Sequence, residues 1–185
     1  MGEHQTDYDT LWWLIMKARR ITLAGQDYYL VFNGQAMFEV EDRFGGATKL
    51  LDAVNTPGRD GFESLCGGLA SVAEQGELAR RALGYDKGPL PTEEHLRVVT
   101  GPAEIAPLRA ALLSAILAGF GREVESDQDV DLGLLELEQK KNEHLSRAQY
   151  LRLGLALGLS AVETMALAPG VLFDLLELRR REQEK

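Results

Sequence analysis

Ile105, Leu108, Leu112, Ile116 and Phe120 follow one another at steps of three and four residues, the spacing that lines side chains up along one face of an α-helix. A face that long and apolar has to be buried, so the rest of the chain must supply a core around it. It has the means. Of 185 residues, 45% are hydrophobic, which suits one domain, or one domain with an appendage.

Upstream of that helix the period changes. In the stretch from Arg19 to Asn33, Ile21 and Leu23 alternate with polar neighbours, and Tyr28 to Phe32 is aromatic and β-branched. Ala24-Gly25-Gln26-Asp27 lies between them, so the stretch reads as a β-hairpin with glycine in its turn. Asn33 is placed to cap a helix through Phe44, with Met37, Val40 and Phe44 inward and Gly45-Gly46 ending it. A short helix is expected near Lys49 to Val54. Asp60 and Glu63 then read as the start signal of a longer one, with Phe62, Leu65, Leu69 and Val72 inward and Gly84 past its end. Thr92 begins a polar helical segment, and Pro102 suits the first position of the helix with which the reading began. Before the hairpin, Leu11, Leu14 or Ile15, and Ala18 would share one face of a short amphipathic helix.

The composition shifts after Arg122. From Glu123 to Gln139 there are seven acidic residues and no lysine or arginine, a self-repelling run expected to form a solvated joint. Beyond it, Ser146 with Gln149 and Ser160 with Glu163 both match the capping box. Pro169 ends one short helix and opens the last, where Glu177 and Arg181 are spaced for an i, i+4 pair. The expected fold class is α+β, mainly α: an N-terminal β-hairpin packed on a helical bundle, plus a small C-terminal helical module. The expected organisation is an extension over 1–16, a hairpin-plus-helices domain over 17–122, an acidic linker over 123–145, and a helical module over 146–185.

Chemistry is hard to find. The three histidines, His4, His95 and His144, are far apart and have no ligand at i, i+4. The lone cysteine, Cys66, allows no internal disulfide and fits a reducing cytoplasm. Beside Gly67-Gly68 on an inward helix face, it reads as a small buried hydrophobe. Phe44-Gly-Gly-Ala has neither a GxGxxG pattern nor a following Lys-Ser/Thr, so it terminates a helix and does not cradle phosphate. Glu39, Glu41 and Asp42 read as a solvated helix face. No catalytic, cofactor-binding or metal-binding residue is expected, and the protein is not expected to be an enzyme. The 20 basic residues against 29 acidic ones, a formal charge of −9, argue against nucleic acid or an anionic membrane as partner. The apolar run from Leu11 to Met16 is too short to span a bilayer and lacks the flanks of a signal peptide.

What remains is apolar surface. Trp12 and Trp13 are adjacent and point about 100° apart on a helix, so both cannot enter one core easily, and tryptophan favours binding hot spots. At the other end, Leu172, Phe173, Leu175 and Leu176 cover more than a narrow stripe. These six residues are the candidates for partner binding.

The order of elements resembles that of tail assembly chaperones from long-tailed phages and prophages. The resemblance rests on Ile21, Thr22, Leu23, Gly25, Tyr28, Leu30 and Phe32 in the hairpin, then Ala36, Glu41, Phe44 and Gly45 in the following helix. The stretch from Pro89 to Phe120 is similar to the family's closing part of the first module. The stretch from Tyr150 to Arg181 is similar to its downstream module, with Gly158-Leu-Ser, Glu163 and Pro169 ahead of the leucines. Residues 1–15 precede the point where family members usually begin. The resemblance implies a two-module chaperone, the longer product that the family makes by programmed frameshifting. It implies two partners: the tape-measure protein, kept soluble by the first module, and the tail-tube protein, recruited by the second. Self-association is compatible with both. The resemblance further implies a protein of the host cytoplasm that is absent from the finished virion. The competing reading is a structural adaptor, for tail completion or head–tail joining, retained in the particle.

Overall fold

The computed structural model describes residues 16–124 and 145–184. The chain opens on a two-stranded antiparallel hairpin, β1 (Arg19–Leu23) and β2 (Gln26–Leu30), in register from Arg19 opposite Leu30 to Leu23 opposite Gln26. Its turn is only Ala24 and Gly25, with φ of 50° and 75°. Two residues in that left-handed region match the right-handed twist of the strands. The loop is therefore shorter than the sequence suggests: Gln26 and Asp27 belong to β2, where the Thr22 hydroxyl donates to Asp27 at 2.6 Å. Alternation then sorts the strand. Tyr28 and Leu30 are buried in the core, whereas Tyr29 points away and takes the Arg80 guanidinium over its ring at 4.9 Å.

Five helices complete the first module: α1 (Gly34–Phe44), α2 (Ala47–Asn55), α3 (Arg59–Ala82), α4 (Glu93–Val99) and α5 (Ile105–Phe120). Asn33 caps α1 by accepting from the Ala36 amide, and Thr92 caps α4 by accepting from the His95 amide. The longest, α3, extends about 36 Å at 1.5 Å per residue and packs against the hairpin, α1, α2, α4 and α5. Leu65, Leu69 and Val72 of α3 meet Leu50 and Val54 of α2, Leu112 and Ile116 of α5, and Phe32 in one buried cluster. The apolar face that opened the reading is thus the inner face of α5. Val31 donates its amide to the Val72 carbonyl at 2.9 Å, tying the end of the hairpin to α3.

Two helix starts differ from expectation. Gly58, not Asp60, is the N-cap of α3, so Asp60 lies within the first turn and Glu63 accepts from Arg59 at 2.7 Å instead of closing a capping box. A carboxylate in a first turn is still favourable there, through the helix dipole. Pro102 lies in a turn closed by the Glu104 amide on the Gly101 carbonyl, and α5 begins only at Ile105.

The closing module consists of α6 (Arg147–Ala156), α7 (Ala161–Ala166) and α8 (Pro169–Gln183). Both capping boxes form, Ser146 with Gln149 and Ser160 with Glu163, and Pro169 opens α8. Near its end, Glu177 accepts from Arg180 at 2.8 Å and Arg181 at 2.9 Å. The two guanidiniums, Arg180 first, hold the Glu177 carboxyl down at about 2.

This module is docked on the first. Phe38 of α1, Tyr150 of α6 and Leu172 of α8 form a second buried cluster, with the Phe38 and Tyr150 rings edge to face at 5.6 Å. The Gly34 amide donates to the Leu167 carbonyl at 2.8 Å, and Asp174 accepts from Arg122 at 3.1 Å and from the Glu123 amide at 2.8 Å. Consequently α1 is buried on two sides. Gly34, Ala36, Phe38 and Val40 are its buried residues, so that Val40 lies inward as expected, while Met37 and Phe44, also expected inward, are half-buried. The architecture is α+β and mainly α, a hairpin on a helical bundle with a small helical module added. Among the described residues no helix is long and apolar enough to cross a membrane. The expected N-terminal amphipathic helix, apart from Met16 to Ala18, and most of the acidic linker lie outside the described residues.

Candidate functional site

Reactive groups are few among the described residues. Cys66 is fully buried, and burial pushes its thiol up to about 11. The thiolate is the nucleophilic form, so this sulfur is suppressed twice, by access and by protonation. Native protein at neutral pH is expected to react with a thiol reagent at least tenfold more slowly than the denatured chain; equal rates would show that Cys66 is accessible. His95 meets the Tyr28 hydroxyl at 3.2 Å, and no group of three His, Cys, Asp or Glu among the described residues could hold a metal ion. His4 and His144 lie outside those residues. Of the carboxylates on α1, Glu39 accepts from the Gln35 side-chain amide at 2.8 Å, and Asp42 reaches Arg147 of the closing module at 3.2 Å. Asp42 is therefore part of the docking contact as well as a solvated group.

The six candidate partner residues fall into three groups. Trp12 and Trp13 lie outside the described residues. Leu172 is fully buried; it joins the modules of this chain and presents nothing to a partner, because docking on α1 covers the face of α8 that carries it. Phe173 and Leu176 are half-buried, the latter against the second cluster. Leu175 is exposed at 37%, with Leu178 beside it on the outer face of α8.

Two further apolar surfaces are not singled out by the sequence. One is the outer face of α5, where Ala106, Ala110, Leu113 and Leu117 are all exposed, the leucines at 41% and 53%. Their steps of four, three and four are those of a helical seam. The signal was present: a surface helix normally turns polar residues outward, and α5 has apolar ones on both faces.

The other surface is a groove of about 640 Å³ between the two modules, within the ~300–1,000 Å³ of clefts that take ligands. One wall is the end of α3, with Leu78, Ala82 and Leu83. The opposite wall is α6 and α7, with Leu151, Val162 and Met165. At its base Asn33 donates to Gln75 at 3.2 Å, a buried polar pair. Val162 is 81% exposed. The groove exists only because the second module docks where it does, so no local stretch of sequence could have announced it.

Compared with models of known protein families, with curated proteins and with solved structures, the chain matches none.

Proposed function

We propose that this chain is a tail assembly chaperone of the two-module kind, working in the host cytoplasm. Its first module holds the tape-measure protein in solution, and its second recruits tail-tube subunits. The observation that carries this reading is the outer face of α5. A protein that ordinarily meets only water has little reason to leave four apolar residues in seam spacing uncovered. A long helical client has a matching stripe of its own and would lay it along this one. The net charge of −9 keeps such a complex soluble once the apolar stripes are buried. The exposed Leu175, with half-buried Phe173 and Leu176 near it, is the smaller surface left on the second module for the tube subunit.

The test is co-expression with the tape-measure product of the same phage. The chaperone should move that protein from pellet to supernatant. Leu113→Asp with Leu117→Asp should keep the circular dichroism of the parent and lose the rescue at least tenfold, since each leucine contributes about 1.5–3 kcal/mol when buried. A folded double variant that rescues as well as the parent removes α5 as the client site. A parent that does not rescue ends the chaperone reading.

A further inference from the structure

Every exposed residue of α5 is apolar, so whatever selects a partner for this seam has to come from its flanks. We propose that the seam takes a helix whose own apolar stripe is bordered by carboxylates, and that Arg109 and Arg19 recognise that border. The inference rests on α5 being the client face and adds the client's chemistry to it.

Arg109 stands one turn from both Ala106 and Leu113, on one side of the seam. It is half-buried, and its Nε is enclosed with no hydrogen-bond partner among the described residues. On the other side Ser114 lies four residues from Ala110 and three from Leu117, and its hydroxyl accepts from Arg19 Nε at 3.0 Å. Arg19 also donates to the Ala18 carbonyl at 3.2 Å. Among the described residues neither arginine pairs with a carboxylate. Most of the other arginines do: Arg43 and Arg97 share Glu93, and Arg80 and Arg81 share Glu77. With 29 acidic residues against 20 basic ones, carboxylates are not scarce, yet the two flanks of the seam are left without one.

A guanidinium is always charged and offers its donors as a fixed fork that matches a carboxylate. Glutamate or aspartate beside the client's stripe therefore completes what α5 leaves open. A second copy does not: it would bring α5 against α5, and no residue from Ile105 to Phe120 is acidic. The net charge of −9 does not forbid an acidic partner either. At physiological ionic strength, exposed charges more than about 8 Å apart are largely screened, so contacts at the edge of the seam outweigh the distant surface. Exposed ion pairs add little affinity singly, so the leucines supply the binding while the arginines choose among helices.

Two labelled helical peptides with the same leucine stripe, flanked by glutamate in one and by lysine in the other, separate charge from apolar contact. In fluorescence anisotropy the full chain should bind the glutamate peptide about fivefold tighter or more. Net charge alone predicts the opposite order, since a chain at −9 attracts lysine. Arg109→Gln with Arg19→Gln should erase the preference while circular dichroism stays unchanged, and Arg109→Lys should keep most of it. Leu113→Asp with Leu117→Asp should lose both peptides. Equal binding of the two peptides by the parent, or tighter binding of the lysine peptide, overturns the proposal. So does binding of neither, or a preference that survives both glutamine substitutions. Self-association of the chain that Leu113→Asp with Leu117→Asp abolishes overturns it too, because the occupant would then be a second copy. The peptides carry no tape-measure sequence, so this selection can fail while the solubility rescue succeeds, and the reverse.

Discussion

Tyr150→Ala is expected to detach the closing module while leaving the first module folded. Tyr150 is the largest fully buried side chain among the described residues, and it sits at the centre of the apolar cluster that joins the modules. Its ring meets Phe38 edge to face, its hydroxyl donates to the Leu167 carbonyl at 3.1 Å, and Gly34 packs against its ring edge. A Cβ on Gly34 would come within 2.6 Å of Tyr150 Cε1, so no other residue fits beneath the ring unchanged. Truncating a buried aromatic to alanine costs about 3–5 kcal/mol, partly in transfer and partly in the cavity left behind. The Tyr150 ring meets Phe38 of the first module inside the cluster that joins the two, so that loss falls on docking. Hydrogen exchange separates the two modules. The Gly34 amide, held by Leu167 across the interface, should exchange at least a hundredfold faster, while the Val31 amide, held by Val72 inside the first module, should not change. Tyr150→Phe keeps the ring and should cost about 1 kcal/mol, the worth of one hydrogen bond. If the Gly34 amide stays protected in Tyr150→Ala, the modules are held together by something other than this cluster.

The same interface marks the limit of what the sequence could announce. Asn33, Thr92, Ser146 and Ser160 all cap the helices expected of them, because a cap is settled within four residues and needs no tertiary partner. The inner face of α5 was equally legible, since its period is carried by its own side chains. Gly58 took the capping role from Asp60, and Pro102 fell in a turn outside α5; both readings rested on residue preference where two adjacent positions competed. Long-range facts were not legible at all. Phe38 is buried by Leu172 and Tyr150, more than a hundred residues downstream, so nothing local distinguishes it from the half-buried Met37. Leu172 stands among the partner-binding candidates for the same reason: the chain shows that α8 has too many leucines for one stripe, not which of them docking covers. The groove draws its walls from α3, α6 and α7, and only the docked arrangement makes it visible.

Gly76→Ala should destabilise the protein, although the same change in an exposed helix would stabilise it by roughly 1 kcal/mol. Gly76 lies inside α3 where that helix crosses β2, and a Cβ there would fall well inside contact distance of the Tyr29 carbonyl oxygen. The obstacle is backbone, not the movable end of a side chain. The hairpin cannot simply rock away, because Val31 is bonded to Val72 one helical turn from the clash. Relief requires α3 and β2 to separate, and with them the contact that packs Leu30 and Phe32 against the α3 and α5 side chains. Overpacking of this kind costs about 1–3 kcal/mol or more, enough to reverse the propensity gain, so the denaturation midpoint should fall. Gly67→Ala is the matched control on the same helix. Its new methyl would meet chiefly the Arg43 guanidinium at 3.0 Å and the edge of Phe44 at 3.2 Å, and the flexible arginine can yield. That variant should be near neutral or slightly more stable. If both variants gained stability alike, β2 would not lie at backbone contact on α3, and the hairpin would be a looser cover on the bundle than the packing of Gly76 requires.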